Sequence, residues 1–178
     1  KMQGALDLRG NKLMGTIPQC MWRNEGRTGS IYLSRNRLTG TVGVLGSHHK
    51  TVLVNDNELT GSLGVAFGDA RRVEVLDVSN NAFDGDVSFL RRMPNLRHLD
   101  VANNKLHDTP EHRISDIIKN LPNIQSYDIT GNRFASHRES PYSIDESKTS
   151  RNGNRSEVHL ALAFDVPVTH LCPDCPRH

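Results

Sequence analysis

One phrase, apolar-x-apolar-x-x-Asn-x-apolar, returns six times along this chain, and self-similarity of that kind leaves few folds open. It reads Leu6, Leu8, Asn11, Leu13; Ile31, Leu33, Asn36, Leu38; Val52, Val54, Asn57, Leu59; Leu76, Val78, Asn81, Phe83; Leu99, Val101, Asn104, Leu106; and Tyr127, Ile129, Asn132, Phe134. Successive copies lie on average about 24 residues apart. In each copy the apolar-x-apolar pair predicts a short strand whose inward side chains alternate with outward ones. A unit this small cannot bury its apolar side alone. The copies must therefore stack into a β-rich α/β solenoid, right-handed, with a continuous core, a parallel sheet along the concave side and a convex side of irregular chain and short helices. The Asn of each phrase falls where the chain turns away from the sheet. An inward amide supplies donors and an acceptor to backbone groups that this turn leaves unpaired. Asn11, Asn36, Asn57, Asn81, Asn104 and Asn132 are thus expected to form a structural ladder, each amide worth on the order of 1 to 3 kcal/mol.

After four of the phrases comes a Gly and then an apolar residue: Leu13-Met14-Gly15-Thr16-Ile17-Pro18, Leu38-Thr39-Gly40-Thr41-Val42, Leu59-Thr60-Gly61-Ser62-Leu63 and Phe83-Asp84-Gly85-Asp86-Val87. This Leu-x-Gly-x-Ile-Pro phrase resembles the plant-type leucine-rich repeat of receptor kinase ectodomains, receptor-like proteins and polygalacturonase inhibitors, and of some protist surface antigens. The resemblance covers about residues 5 to 134. It implies that the added segment forms a second short sheet beside the first and twists the solenoid. The chain departs from the pattern in two ways. Gly43 and Gly64 stand where the first repeat has Pro18, and Leu106-His107-Asp108-Thr109-Pro110 in repeat five lacks the Gly.

The repeats occupy residues 1–134. On the convex side, Ser88 to Met93 and Ser115 to Leu121 have apolar spacing suited to one or two helical turns, stopped by Pro94 and Pro122; the other arcs read as irregular. Residues 135–156 form a polar stretch read as an exposed loop, and residues 157–178 a cap. Within the cap Val158, Leu160, Leu162 and Phe164 alternate with His159, Ala161 and Ala163, as in a half-buried strand that closes the open end of the stack after repeat six. At the other end, Lys1-Met2-Gln3-Gly4 has no apolar leader and runs almost directly into the first phrase, so the sequence reads as a fragment lacking upstream repeats.

Three cysteines are present, Cys20, Cys172 and Cys175. With five strand steps of about 4.8 Å between the first and last repeats, Cys20 would lie over 20 Å from the cap, too far for a disulfide to Cys172 or Cys175. It is expected to be free, or paired with something upstream. For Cys172-Pro173-Asp174-Cys175 the first reading is a cap disulfide and the second a zinc site completed by His159, His170 or His178. A redox pair ranks last, because Pro173 and Pro176 oppose the helix that would activate the thiol. Asn154-Arg155-Ser156 is a glycosylation candidate at Asn154 if the protein is secreted.

Composition excludes several functions. No run approaches the roughly 18 apolar residues of a membrane span. A net charge of +2 and 5% aromatic residues provide neither the basic stripe nor the stacking platforms of a nucleic-acid groove. The nine histidines have no HExxH spacing and read as exposed surface, and no nucleophile elbow or phosphate loop is present. The chain therefore reads as a non-enzymatic binding module needing no cofactor, extracellular or at the cell surface, with an intracellular scaffold as the alternative.

Aligning the phrases puts Asp7, Tyr32, Leu53, Asp77, Asp100 and Asp128 in one outward column. Arg9, Ser34, Asn55, Ser79, Ala102 and Thr130 form the next, and Gly10, Arg35, Asp56, Asn80, Asn103 and Gly131 a third. Three consecutive carboxylates about 5 Å apart repel one another unless cations or a basic partner offset them. The expected binding face thus combines Asp77, Asp100, Asp128, Asp56 and His98 with apolar contact from Tyr32, Leu53 and Val75, and with Arg9 and Arg35 giving a basic N-terminal end. Its partner would be a basic protein segment. A second reading makes the solenoid a structural subunit that self-associates in a larger assembly. A carbohydrate module would want clustered aromatics there, and Tyr127 points inward.

Overall fold

The computed structural model describes residues 6–23, 29–135 and 158–159. Two parallel sheets run along the repeats. The first contains β1 (Leu6–Asp7), β3 (Ser30–Tyr32), β5 (Thr51–Leu53), β7 (Val75–Asp77), β9 (His98–Asp100), β10 (Ser126–Asp128) and β11 (Val158–His159). Its strand order is β10-β9-β7-β5-β3-β1-β11. The middle residue of each three-residue strand points inward: Ile31, Val52, Leu76 and Leu99 are all buried and in register from repeat to repeat. Strand propensity contributes little over three residues. These strands exist because each lays one apolar side chain on its neighbour's, and burial of a Val, Leu or Ile contributes about 1.5 to 3 kcal/mol.

The asparagines lie in the predicted ladder, and Asn36, Asn57, Asn81, Asn104 and Asn132 each link two repeats. Asn81 donates to the Val54 carbonyl of the preceding repeat (3.0 Å) and to Val78 of its own (3.2 Å), while its Oδ1 accepts from Leu59 N (3.0 Å). Asn36, Asn57, Asn104 and Asn132 repeat this pattern against Leu8, Leu33, Val78 and Val101. Asn11 donates to Leu8 of its own turn.

The second sheet, implied by the resemblance, is present as β2 (Met14–Thr16), β4 (Arg37–Thr41), β6 (Glu58–Ser62) and β8 (Ala82–Asp84), adjacent in that order. Its glycines have a steric reason. Gly40 and Gly61 sit at φ +80° and +86°, and a Cβ on either would stand 2.7 Å and 2.9 Å from the Thr16 and Thr41 methyls of the preceding repeat. Only Gly allows both that backbone and that approach. Where repeat five loses the Gly, the sheet stops, leaving a single bridge from Asp86 to His107.

On the convex side a 3-10 turn (Ser88–Arg92) and α3 (Ile114–Lys119) fall where the spacing predicts helical turns. Two arcs read as irregular are in fact short helices, α1 (Gln19–Arg23) and α2 (Leu63–Ala66). At four or five residues they are too short to show a helical period. They form because Trp22, Leu63 and Ala66 are buried against the core and the Ser62 hydroxyl caps α2 through Gly64 N. Phe67 stacks on Phe89 across two repeats at 5.6 Å.

Three further expectations are corrected. Strand β11 pairs with β1, not with β10, so it lies at the N-terminal edge of the sheet rather than closing the end after repeat six. Cys20 is disulfide-bonded rather than free, its partner lying outside the described residues. The pair His48-His49 is not solvated surface. His49 is buried with Nε2 2.9 Å from the Trp22 carbonyl, where burial, and then the neighbouring His48, hold its pKa below the ordinary value against that bond. The polar stretch 136–156, Asn154, Cys172 and Cys175 lie outside the described residues.

Replacing Asn104 with Ala strands Phe83 N and the carbonyls of Val78 and Val101 in a buried turn. The expected loss is about 1 to 3 kcal/mol in urea unfolding. Replacing exposed Asn123, whose amide bonds only the Pro94 carbonyl, should cost less than about 0.5 kcal/mol.

Candidate concave recognition face

The register of the first sheet sets the geometry of its open face. Asp7, Tyr32, Leu53, Asp77, Asp100 and Asp128 pair with one another strand by strand, so the column read from the phrases is the column in space. Thr51, Val75, His98 and Ser126 form the column on the strand-entry side.

Each aspartate of the central column has a local role. It accepts the backbone N–H two residues on: Arg9 N for Asp7 (3.0 Å), Ser79 N for Asp77 (3.1 Å), Ala102 N for Asp100 (3.0 Å) and Thr130 N for Asp128 (2.9 Å). An Asp here fixes the chain where it leaves the strand. What differs is the second partner. Asp77 also takes the Ser79 hydroxyl at 2.7 Å and Asp128 the Thr130 hydroxyl at 2.8 Å, whereas Asp100 faces Ala102 and has none.

That difference appears in the acidities. Burial pushes Asp77 up from the ordinary carboxylate range, opposed by its two bonds to Ser79. Asp100, between Asp77 and Asp128, is pushed up to about 6, first by burial and then, against the single backbone bond, by the charges of Asp77, Asp128 and Asp56. No lysine or arginine pairs with Asp77, Asp100 or Asp128 among the described residues. His98, expected on this face, is there and half-buried, but its Nδ1 lies 2.7 Å from the Ser126 hydroxyl.

The N-terminal end differs from the expectation. Arg9 is not a free cation: its Nε and Nη2 clamp Asp7 at 2.9 and 2.6 Å, and its guanidinium lies 5.0 Å from the Tyr32 ring centroid. Asp7 and Tyr32 are buried, at 1% and 6% exposure, so Tyr32 does not offer its ring to a partner. Leu53 and Val75 remain half-buried on adjacent strands and form the apolar step beside the acidic column.

The third column takes a left-handed backbone in every repeat, with φ between 52° and 67° at Gly10, Arg35, Asp56, Asn80, Asn103 and Gly131. Gly, Asn and Asp tolerate that region best, which accounts for most of the column. Its side chains also bond across repeats, a feature the column alignment did not reveal. Asn103 donates to Asn80 Oδ1 (2.8 Å), Asn80 to Asp56 Oδ1 (2.9 Å) and Asn55 to Asp56 Oδ2 (2.7 Å), with Ser34 joined to Asn55 and Arg35 3.8 Å from Asp56. The legible signal was the doubled polar pair ahead of each apolar residue: Asp56-Asn57, Asn80-Asn81 and Asn103-Asn104.

Among the described residues no cluster of three His, Cys, Asp or Glu is placed to hold a metal ion, and no helix is long and apolar enough to cross a membrane. A parallel sheet of three-residue strands, an inward asparagine ladder and a glycine-dependent second sheet together define a leucine-rich-repeat solenoid whose repeats are of the plant type. A family model described as leucine-rich repeats in two copies matches residues 71–114. The chain is 33% identical over 107 residues to the calmodulin-binding receptor kinase CaMRLK of Arabidopsis thaliana, a match that covers 57% of this chain and 16% of that protein. Among solved structures, the leucine-rich-repeat ectodomain of the receptor kinase SOBIR1 from Arabidopsis thaliana superposes with a TM-score of 0.64 at 27% identity, covering 74% of this chain and 72% of that one. The plant peptide hormone receptor RGFR1, solved in complex with RGF2, superposes with a TM-score of 0.62 at 26% identity, covering 74% of this chain and 21% of that one.

Asp100 gives the face a measurable pH dependence. Its folded-state pKa, about 6, lies above the ordinary 3.8, so its stabilising contribution is present at low pH and is lost as pH rises through about 6. Replacing Asp100 with Asn keeps an acceptor for Ala102 N and removes the charge. Stability at pH 7.5 is expected to rise by about 1 to 2 kcal/mol, less than the full shift because the group is partly solvated, with the gain vanishing below about pH 4. Thermal unfolding at the two pH values reads both.

Proposed function

We propose that this solenoid is a non-enzymatic recognition module at the cell surface or outside the cell, which binds a basic segment of a protein partner on the C-terminal half of its concave face. The observation that supports it is the column Asp77, Asp100 and Asp128, which no described lysine or arginine pairs with. The turn does not require a carboxylate there: Tyr32 and Leu53 fill the same position in two repeats, and an Asn would accept the N–H without charge. Three adjacent carboxylates with no cation paired to them among the described residues raise the cost of the free state. A lysine or arginine side chain laid along the column lowers that cost on binding. Leu53 and Val75 offer the apolar end of the same footprint, and the Asn80–Asn103 chain offers amides along its edge. The likeness to a receptor kinase ectodomain and to a plant peptide hormone receptor supports a protein partner and an extracellular setting.

A second reading, a structural subunit packed into a larger assembly, has one observation in its favour. Strand β10 ends the sheet, with no described strand beyond it.

Panning a random peptide display library against the folded protein tests the first reading. Enriched peptides should be rich in Lys and Arg with an apolar residue to one side. Their affinity should fall about tenfold or more in Asp77→Asn/Asp100→Asn and at high salt. Enrichment with no basic bias, or affinity indifferent to the double variant, would count against it. Sedimentation showing concentration-dependent association blocked by a Pro within β10 would favour the second.

A further inference from the structure

We propose that Asp86, His107 and His112 form a proton-operated latch between repeats four and five, closed when both imidazoles carry charge. The latch lies where the second sheet runs out. Along that sheet the residue after each glycine stands opposite the residue before the next repeat's glycine: Thr41 opposite Thr60, then Ser62 opposite Asp84. In repeat five Asp108 takes the glycine's position, and the same register continues for one more step, Asp86 opposite His107. There the His107 N–H donates to the Gly85 carbonyl at 3.1 Å. The three-residue pairing of the earlier seams is thus reduced to one bridge, and that bridge joins a carboxylate to an imidazole.

A turn adds the second imidazole. Thr109 and His112 form an antiparallel bridge, and the His112 N–H donates to the Thr109 carbonyl (3.0 Å) and hydroxyl (3.1 Å). The chain folds back here and sets His112 Nδ1 3.8 Å from Asp86 Oδ2. Asp86 is itself fixed, because its Oδ1 accepts the Ser88 N–H at 2.6 Å and leaves Oδ2 toward His112. The Ser88 hydroxyl first, then against burial the Ser88 N–H, His112 and His107, hold the Asp86 carboxyl below the ordinary carboxylate range. It therefore stays anionic wherever histidine titrates.

Among the described residues, these two imidazoles are the groups whose charge acts on Asp86. The other charged groups on the packed elements are exposed: Asp84 of β8, Arg91 and Arg92 of the 3-10 turn, and Lys105, Glu111 and Arg113 of repeat five. Arg91 donates to the Glu111 carbonyl at 3.3 Å, and half-buried Asp108 accepts the Ile114 N–H (3.4 Å) and the Ala135 N–H (2.9 Å). At the strand-entry edge repeats three, four and five are joined by Lys50–Glu74 (3.2 Å) and Arg97–Glu74 (3.9 Å), whose cations keep their charge near neutrality. Histidine is the side chain whose charge ordinarily changes between about pH 5 and 8. At about pH 5 both imidazoles face an anionic carboxylate, and the seam is tied by charge as well as by its bridge. As pH rises through the histidine range that attraction is lost and the backbone bridge alone remains. As pH falls instead through the lowered pKa of Asp86, the carboxyl is neutralised and the attraction is lost again. His112 and Asp86 are 33% and 32% exposed, so protons reach the latch without unfolding. It governs how firmly the repeat bearing Asp77 is joined to the repeat bearing Asp100.

The test is amide hydrogen exchange on the intact protein, followed residue by residue by NMR and corrected for intrinsic exchange. Protection of the His107 N–H is expected to fall about threefold or more between pH 5 and 8. The Leu33 N–H, bonded to the Leu53 carbonyl in the first sheet, should change little. Asp86→Asn keeps an acceptor for the Ser88 N–H and removes the charge, so the fall should disappear. His107→Gln/His112→Gln should hold protection at residue 107 near its pH 8 level throughout. The fall should persist in Asp100→Asn, which separates the latch from the titration of the concave column. Equal protection at pH 5 and 8 in the unaltered protein overturns the proposal, and so does a fall that survives in Asp86→Asn or vanishes in Asp100→Asn.

Discussion

The buried asparagine amide is the constraint on which the rest of this structure depends. A repeat that turns inward at the end of a three-residue strand exposes carbonyls and N–H groups to the core. Water cannot reach them, and the strand is too short to provide other partners. One side chain with two donors and an acceptor resolves the turn within its own repeat and bonds the preceding one at the same time, as Asn81 does with Val78, Val54 and Leu59. Because these amides, from Asn36 onward, each serve two repeats, stability is cooperative along the stack. The outward columns are then free to vary.

That freedom accounts for the face. The aspartates at strand ends are tolerated because each has a backbone N–H to accept. The carboxylate column thus begins as turn chemistry and becomes an electrostatic feature only where three strands carry it consecutively. Whether a given Asp is strained depends on its second partner. Asp77 and Asp100 occupy equivalent places, and the exchange of Ser79 for Ala102 two residues on removes a hydroxyl and leaves Asp100 the weaker acid. At the other end the same position is neutralised, since Arg9 covers Asp7 and Tyr32 together.

The solenoid, its register and the asparagine ladder were legible in the sequence because a repeated phrase states an inward-outward alternation six times. The second sheet was implied by the resemblance that four glycines carry, two of which have no room for a Cβ against a threonine one repeat back. What was not legible lies in contacts that cross repeats without periodicity. Nothing in the string Lys50-Thr51 or Met21-Trp22 shows that His49 lies under Trp22, nor that Arg9 folds over Tyr32. The alternation beginning at Val158 indicated a strand, and Val158–His159 is one, but an edge strand carries no mark of which edge it joins. Both ends of a parallel sheet offer the same backbone pattern, and the choice depends on the path of the intervening chain.

The second sheet spans four repeats and ends where repeat five loses its glycine. Repeats one to four are therefore fastened along two lines, and beyond them the second line thins to the single bridge between Asp86 and His107. A ribbon held on both margins resists bending more than a ribbon held on one, so the solenoid is a stiff rod joined to a more compliant tip. Asp77 belongs to the rod, whereas Asp100 and Asp128 ride on the tip. The spacing of the three charges is thus held along two lines at Asp77 and mainly along one at Asp100 and Asp128.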